Sequence, residues 1–228
     1  MKEAQFYLVG TPIGNLGDIS LRAIETLKAV DLIYCEDTRR SQKLLNHFEI
    51  KKKLISAPYF RERKSVGLVE EVLRSGQRVA YITDAGMPGV SDPGSILLGE
   101  IRKLGYRVEV IGGPSALTNF IGLLGVELEK FEFVGFLPAK RAQRERFFSE
   151  SLSIPKIFFE SPHRLESSLL IIQEKKPLAE LCLAKELTKI SERFYEGRAT
   201  SLLKSIESWK GEWVGLIWPD EDKDNAAS

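Results

Sequence analysis

Cysteine and histidine are scarce in this sequence, with two of each in 228 residues. Cys35 and Cys182 are too few for a disulfide framework, and neither stands in a CxxC or His-rich context that would hold zinc. That scarcity fits a reducing compartment, so a cytoplasmic location is expected. No apolar run approaches the ~20 residues of a membrane span. The opening stretch carries one lysine and a short apolar run, too little for a secretion signal. An excess of charge is also missing: the net charge is +1, so any contact with nucleic acid must come from local patches. The sequence has no GK[ST] phosphate loop, no GxGxxG, no HExxH and no Ser-His-Asp order, and no metal site is expected.

Apolar residues are not lacking. At 43% hydrophobic the chain can bury a core, and its length suits one large domain or two of about 100 residues each. In the first half, short apolar strands ("QFYLV", "DLIYC", "KLISA", "RVAYIT", "RVEVI") alternate with amphipathic helices ("SLRAIETLKAV", "TRRSQKLLNHF", "SVGLVEEVLRSG", "PGSILLGEIRKLG"). That alternation predicts an α/β fold with a parallel sheet. The second half reads as five strands ("FEFVGF", "KIFFE", "ELCLAKEL", "RFYEG", "EWVGLIW") with two helices, "SPHRLESSLLIIQEK" and "SLLKSIESW". It predicts a smaller, mixed and largely antiparallel α+β unit. The expected organisation is an N-terminal domain over 1–122, a C-terminal domain over 123–219 and a disordered polar tail over 220–228.

In a parallel sheet the loops after the strands' carboxyl ends line the ligand crevice. Four such loops stand out: "GTPIGNLGD", "CEDTRRS", "TDAGMPGVSDPG" and "GGPSA". The first has its glycines at 10, 14 and 17, the wrong spacing for a dinucleotide fingerprint. Glu36, about 20 residues on, does imitate that fingerprint's ribose-binding acid, which keeps a nicotinamide oxidoreductase as a rival. In the third loop Asp84 leaves a buried strand and Ala85 and Gly86 leave backbone bare, so a ligand could lie against the main chain. Asp92 and Pro93 read as N-cap and first residue of the next helix. "GGPSA" offers amides near Ser115 and Ala116 at a helix start. "CEDTRRS" gathers Glu36, Asp37, Arg39 and Arg40, a substrate-side cluster or a solvated pairing. Ser161 and Pro162 read as another N-cap pair, and "KELTK" ends a strand with Lys185, Glu186 and Lys189. Basic clusters lie at 51–53, at 61–64 and at 140–146, the last with Lys140, Arg141 and Arg144 close after Phe136. Basic side chains near an aromatic suit phosphate and base contacts.

Taken in order, "VGTPIGNLGDIS", "EDTR", "DAGMPGVSDPG", "GGPSAL", "GFLPAKRAQR", "ESPHRL" and "KELTK" resemble one family over residues 6–217. It is the ribosomal RNA small-subunit methyltransferase I family, in the tetrapyrrole methylase superfamily. The resemblance implies a two-domain fold with S-adenosylmethionine in the cleft between the domains. It also implies 2′-O-methylation of a cytidine ribose in the decoding region of 16S rRNA, and a homodimer. By motif, the cofactor contacts fall on Pro12, Ala85, Gly86, Met87, Val90, Ser115 and Ala116, with Asp84 beside them and further contacts near Glu160 and Leu187. Asn15 would face the substrate, as would Lys140, Arg141, Arg144 and Arg164. The chain departs from the family in Met87, where "DAGTP" is usual, and in "GGP" for "PGP". It ends about where many relatives begin a small helical extension.

Methyl transfer to a ribose hydroxyl needs in-line alignment and a base or cation for the developing alkoxide. Glu36, Asp37, Arg39, Lys185, Glu186 and Lys189 are the candidates, with the choice among them open. Besides the oxidoreductase, two rivals share features with this reading. A tetrapyrrole or other small-molecule methyltransferase shares the fold, and a non-catalytic RNA-binding module shares the basic clusters.

Overall fold

The structure is a computed structural model that describes residues 4–219; the expected tail at 220–228 lies outside the described residues. The chain divides between Ser115 and Ala116 into two compact units of nearly equal length. The division falls ahead of the boundary expected at 122/123 and assigns the segment after "GGPS" to the second unit.

The first unit runs β1 (Phe6–Val9), α1 (Leu21–Ala29), β2 (Leu32–Cys35), α2 (Thr38–His47), β3 (Lys53–Ser56), α3 (Glu62–Arg74), β4 (Val79–Ile82), α4 (Ser95–Lys103) and β5 (Val108–Ile111). All five strands are parallel, in the order β3-β2-β4-β1-β5. Every residue of β2 and β4 is buried, because helices cover both faces of the sheet. The strand's two-residue period sorts the side chains. Leu32, Tyr34, Val79 and Tyr81 join Phe6 and Leu8 against Val69 and Leu73 of α3 and Leu97 and Ile101 of α4. Ile33, Cys35, Ala80, Ile82 and Val9 face Ala23 and Leu27 of α1 and Leu45 of α2. The parallel α/β prediction holds.

Two local readings of this unit need correction. Helix α3 starts at Glu62, ahead of the predicted Ser65, and α4 starts at Ser95 with Gly94 as N-cap, so Asp92–Pro93 does not open the helix. The start of α4 has a cause in the first residue of α3. Glu62 is 1% exposed, and its Oε1 accepts from the amides of Gly94 (2.9 Å) and Leu97 (2.7 Å). A carboxylate from α3 thus caps α4 from across the fold. This frees the local sequence from supplying a cap and lets Gly94 take φ +120°.

The second unit contains α5 (Ala116–Leu123), β6 (Glu132–Phe136), α6 (Arg141–Ser149), β7 (Lys156–Glu160), α7 (Leu165–Lys175), β8 (Glu180–Lys185), β9 (Arg193–Arg198), α8 (Ala199–Ser205) and β10 (Trp213–Ile217). The sheet order is β6-β7-β10-β8-β9; only β6–β7 is parallel, so the mixed, mostly antiparallel prediction holds. Its core joins Phe148, Phe158, Leu169, Ile172, Leu183, Leu202 and Trp213. Among its described residues the unit has four helices where the sequence suggested two, and α8 stops at Ser205, short of Trp209. Helix α6 escaped notice because its inward positions are Arg144 and Phe148. Helix α7 begins at Leu165 after a turn, with Arg164 as N-cap, so Ser161–Pro162 starts the turn and not the helix.

Glu62→Ala leaves two buried amides without an acceptor. We expect it to cost about 2–3 kcal/mol of unfolding free energy in a urea titration. Glu62→Gln, which keeps an acceptor oxygen, should cost clearly less. Equal stability of all three proteins would refute the capping role.

Candidate active site

The carboxyl ends of β1, β4 and β5 meet through bare backbone. Thr11 and Gly86 form an isolated antiparallel bridge, with the Thr11 amide donating to Gly86 O (2.9 Å) and the Gly86 amide to Thr11 O (3.0 Å). The Thr11 hydroxyl, 1% exposed, donates to Thr83 O (3.3 Å). A Cβ added at Gly10 would lie 2.8 Å from Gly113 Cα and N and 2.5 Å from Met87 Sδ; one added at Gly113 would lie 2.8 Å from Gly10 C and Cα. No side chain fits between these two backbones. Gly10, Met87 and Gly113 therefore tie the first, third and fourth loops together. Around that junction Pro12, Ala85, Met87, Ser115 and Ala116 are half-buried, Gly86 is buried and Val90 is exposed. Asn15 is exposed, and its Oδ1 accepts from the Gly17 amide (3.0 Å), forming the cap of a short 3-10 turn.

The second loop adds charge. Because β2 and β4 are neighbours, Glu36 and Asp84 leave adjacent strand ends. The Asp84 amide reaches toward Glu36 Oε2 (3.5 Å), and the Asp37 amide donates to Asp84 Oδ1 (3.1 Å). Arg40 pairs with Asp84 Oδ2 (3.2 Å). Burial, then the Asp84 charge, holds the Glu36 carboxyl above the ordinary carboxylate range. Burial also raises Asp84, although Arg40 and the Asp37 amide oppose it. Asp37 behaves in the opposite way: its Oδ1 accepts from the amide (2.8 Å) and Nε (3.1 Å) of Arg39 and its Oδ2 from Nη2 (2.7 Å). Arg39's hydrogen bonds hold that carboxyl well below its usual range. Asp37 is also the N-cap of α2. Glu36 and Asp84 thus have raised proton affinity, while Asp37 and Arg39 are locked to each other.

In the second unit the sequence candidates separate. Glu160 is buried, with Oε1 accepting from the Ser161 amide (2.7 Å) and Arg164 Nη2 (2.7 Å) and Oε2 from the Ser168 hydroxyl (2.9 Å). Glu160 and Arg164, read as cofactor and substrate contacts, are thereby engaged with each other and with α7. Arg144 differs from its reading as an RNA contact. It is 4% exposed, and Nη1 donates to Pro138 O (2.9 Å) and Ala139 O (2.8 Å), fastening the "GFLPA" segment to α6. Lys140 and Arg141 of the same run are exposed, Arg141 pairing with Glu145 (2.7 Å). Lys185 Nζ donates to Ser208 O (2.8 Å) beside the Trp213 ring. Lys189 bridges Glu186 (3.0 Å) and Glu212 (2.7 Å). Burial works against ionisation of Glu186, but the Glu212 amide and Lys189 outweigh it and hold that carboxyl low. Lys189 is raised by the same pairing. Leu187 is 8% exposed, between Glu186 and Thr188, which both adopt positive φ (54° and 65°). Sequence reading had no signal for Glu62 or for this backbone strain.

The nicotinamide rival does not survive the geometry. A dinucleotide fingerprint needs a helix N-terminus directly after the first strand's turn. Here β1 ends at Val9, a 3-10 turn intervenes at Leu16–Asp18, and α1 starts at Leu21 with its Ala23 amide already capped by Ser20. Both arginines near Glu36 are paired with carboxylates. The donor set is carboxylate and bare backbone, and a Cβ at Gly112 would meet nothing within 4 Å, so space is open at the end of β5. That fits a cationic ligand without a pyrophosphate, as S-adenosylmethionine is. Among the described residues no group of three or more His, Cys, Asp or Glu could hold a metal ion, and no helix is long and apolar enough to cross a membrane.

Comparison with known proteins agrees with this class. A family model described as tetrapyrrole (corrin/porphyrin) methylases matches residues 5–203. The chain is 44% identical over 209 residues to "ribosomal RNA small subunit methyltransferase I" of Thermotoga maritima, covering 89% of this chain and 92% of that protein. It is 42% identical over 221 residues to the protein of the same name from Coprothermobacter proteolyticus, covering 95% of this chain and 98% of that one. A crystal structure of diphthine synthase superimposes with a TM-score of 0.71 at 16% identity, over 94% of this chain and 89% of that chain, a likeness of fold alone. The chain belongs to the tetrapyrrole methylase family, and within it to the ribosomal RNA small subunit methyltransferase I group.

Because the Glu36 carboxyl binds its proton more tightly folded than unfolded, stability falls as pH rises from the unfolded value through the folded one. Its charged form therefore weighs against the fold. Glu36→Gln should leave the melting temperature at pH 7.5 unchanged or higher, and remove this group's loss of stability as pH rises above the free-carboxyl value. A clearly lower melting temperature at pH 7.5 would mean that Glu36 stabilises the fold.

Proposed function

We propose that this chain is an S-adenosylmethionine-dependent RNA methyltransferase that methylates the 2′-hydroxyl of a cytidine in the decoding region of 16S rRNA. Its substrate is that RNA or the 30S particle, and it works in the cytoplasm as a homodimer. S-adenosylmethionine supplies an activated methyl group with a good leaving group, so the protein's main task is alignment. The carboxyl ends of β1, β4 and β5, with Pro12, Ala85, Gly86, Met87, Val90, Ser115 and Ala116, would hold the cofactor against main chain; Glu160 and Leu187 are the candidates from the second unit. Asn15, Lys140 and Arg141 would meet the RNA.

The observation that carries the chemistry is the placement of Glu36 beside Asp84 at adjacent strand ends, where burial and the neighbouring charge favour the protonated carboxyl. A 2′-hydroxyl is a weak acid, and a carboxylate lifted by burial and a neighbouring charge is a better base for its proton. The other candidates support that choice. Asp37 is held ionised by Arg39, Glu186 is held ionised by its partners, and Lys189 is held protonated between two carboxylates. Arg40, on Asp84, limits the charge that Glu36 faces. Asp37 and Arg39 act as positioning residues, fixing the turn into α2.

The test is methyl transfer from labelled S-adenosylmethionine to 30S subunits from cells lacking the protein, with the product mapped by ribose-methylation-sensitive sequencing. The expected product is one methylated decoding-site cytidine. Glu36→Gln should lower kcat by roughly 10²-fold or more while cofactor affinity stays within about twofold. Full activity in Glu36→Gln would remove it as the base. Cofactor binding without any methylated RNA would overturn the substrate assignment.

A further inference from the structure

The turn between β3 and α3 leaves two large aromatic side chains in solvent. Tyr59 is 68% exposed and Phe60 76%. They occupy a single 3-10 turn, Tyr59–Arg61, with the Arg61 guanidinium 5.5 Å from the Phe60 ring centroid. Arg63 and Lys64 follow, both exposed. Exposed aromatics on a loose loop would mean little, but this turn is fixed at both ends. On one side the Ala57 amide donates to Cys35 O (2.7 Å), the Tyr81 hydroxyl to Ala57 O (2.9 Å) and the Ser56 hydroxyl to Glu36 O (3.4 Å). On the other side the Ser65 hydroxyl donates to Arg61 O (3.1 Å), and buried Glu62 accepts from Gly94 and Leu97. The turn is therefore built onto the two loops that carry Glu36 and Asp84. It leaves the same edge of the sheet, since Cys35 and Ser56 are register partners at the ends of β2 and β3.

We propose that Tyr59 and Phe60 form a stacking platform for unpaired bases of the RNA substrate, with Arg61, Arg63 and Lys64 taking the adjacent phosphates. The inference rests on the RNA reading above and adds a subsite to it. The chemistry favours nucleic acid over a protein partner. Two rigidly presented aromatic faces among cations, with no acid exposed within the 59–64 segment, match bases strung on a phosphate backbone. Aromatic faces accept any base, so the platform holds strand and register rather than reading sequence. A nucleotide presented to Glu36 must part from its stacked neighbours, and a platform on the turn that Ser56 ties to the Glu36 carbonyl would hold the adjoining bases.

The experiment uses the full chain, a mixed-sequence single-stranded RNA of about 12 nucleotides, its duplex, and 30S subunits. Tyr59→Ala/Phe60→Ala should weaken single-strand binding by about tenfold or more. It should raise KM for 30S by a similar factor and leave kcat and S-adenosylmethionine affinity unchanged. Phe60→Trp should retain binding, and its emission, as the difference from wild type, should be quenched by the single strand and not by the duplex. Unchanged strand affinity and KM in the folded double variant would overturn the platform. So would a defect seen only when ribosomal proteins are present and absent with naked 16S rRNA, since that would mark a protein-docking surface. If wild type methylates no RNA yet strand binding still depends on Tyr59 and Phe60, the substrate assignment fails and the platform stands. Methylation with KM unaffected by the double variant fails the platform alone.

Discussion

The contact on which the first unit's candidate site depends is the approach of two backbones, Gly10 and Gly113, at the carboxyl ends of β1 and β5. A parallel sheet brings its strand ends to one edge, but the loops that leave them usually diverge. Here the absence of two Cβ atoms lets the loops touch, and the Thr11–Gly86 bridge adds the end of β4. Three loops become one surface of main chain. Such a surface suits a ligand recognised by its polar ends and its adenine rather than by a pyrophosphate.

Charge is distributed around that surface by the sheet order. β2 lies next to β4, so Glu36 and Asp84 are neighbours although far apart in sequence. Four charged residues of one short motif then divide their roles. Asp37 and Arg39 neutralise each other and start α2, Arg40 offsets Asp84, and Glu36 is left with a raised proton affinity. The same economy appears at Glu62, which caps α4 and fixes the aromatic turn with one buried carboxylate.

Much of this was legible in the sequence. The strand–helix alternation of the first half is written in contiguous apolar runs, which a parallel sheet covered on both faces requires. Of the glycine-rich loops, the one after Asp84 stood out most, because tight turns and helix starts could account for the glycines of the other two but not for bare backbone directly after a buried strand. What the sequence concealed was long-range. Glu62 looks like one residue of a charged run, and only the fold shows its carboxylate at the start of α4. Arg144 looks like part of a basic patch, yet its guanidinium turns inward to two carbonyls, which also hid helix α6 from any apolar periodicity. Asp92–Pro93 and Ser161–Pro162 have the local chemistry of helix starts, yet α4 is capped by the distant carboxylate of Glu62, and α7 begins only at Leu165, after a turn whose Ser161 amide donates to the adjacent Glu160 carboxylate. The six charged candidates for catalysis could be ranked only once their partners were visible.

If the meeting of β1, β4 and β5 forms the cofactor surface, closing that meeting must weaken cofactor binding. The most direct measurement is the affinity of Gly113→Ala for S-adenosylmethionine, by calorimetry on the folded protein, beside Gly99→Ala as a control. An added Cβ at Gly113 must push Gly10 away, whereas at Gly99 it meets nothing within 4 Å. Gly113→Ala should lose at least about tenfold in affinity, and Gly99→Ala none. Wild-type affinity in a folded Gly113→Ala protein would contradict that role of the strand ends.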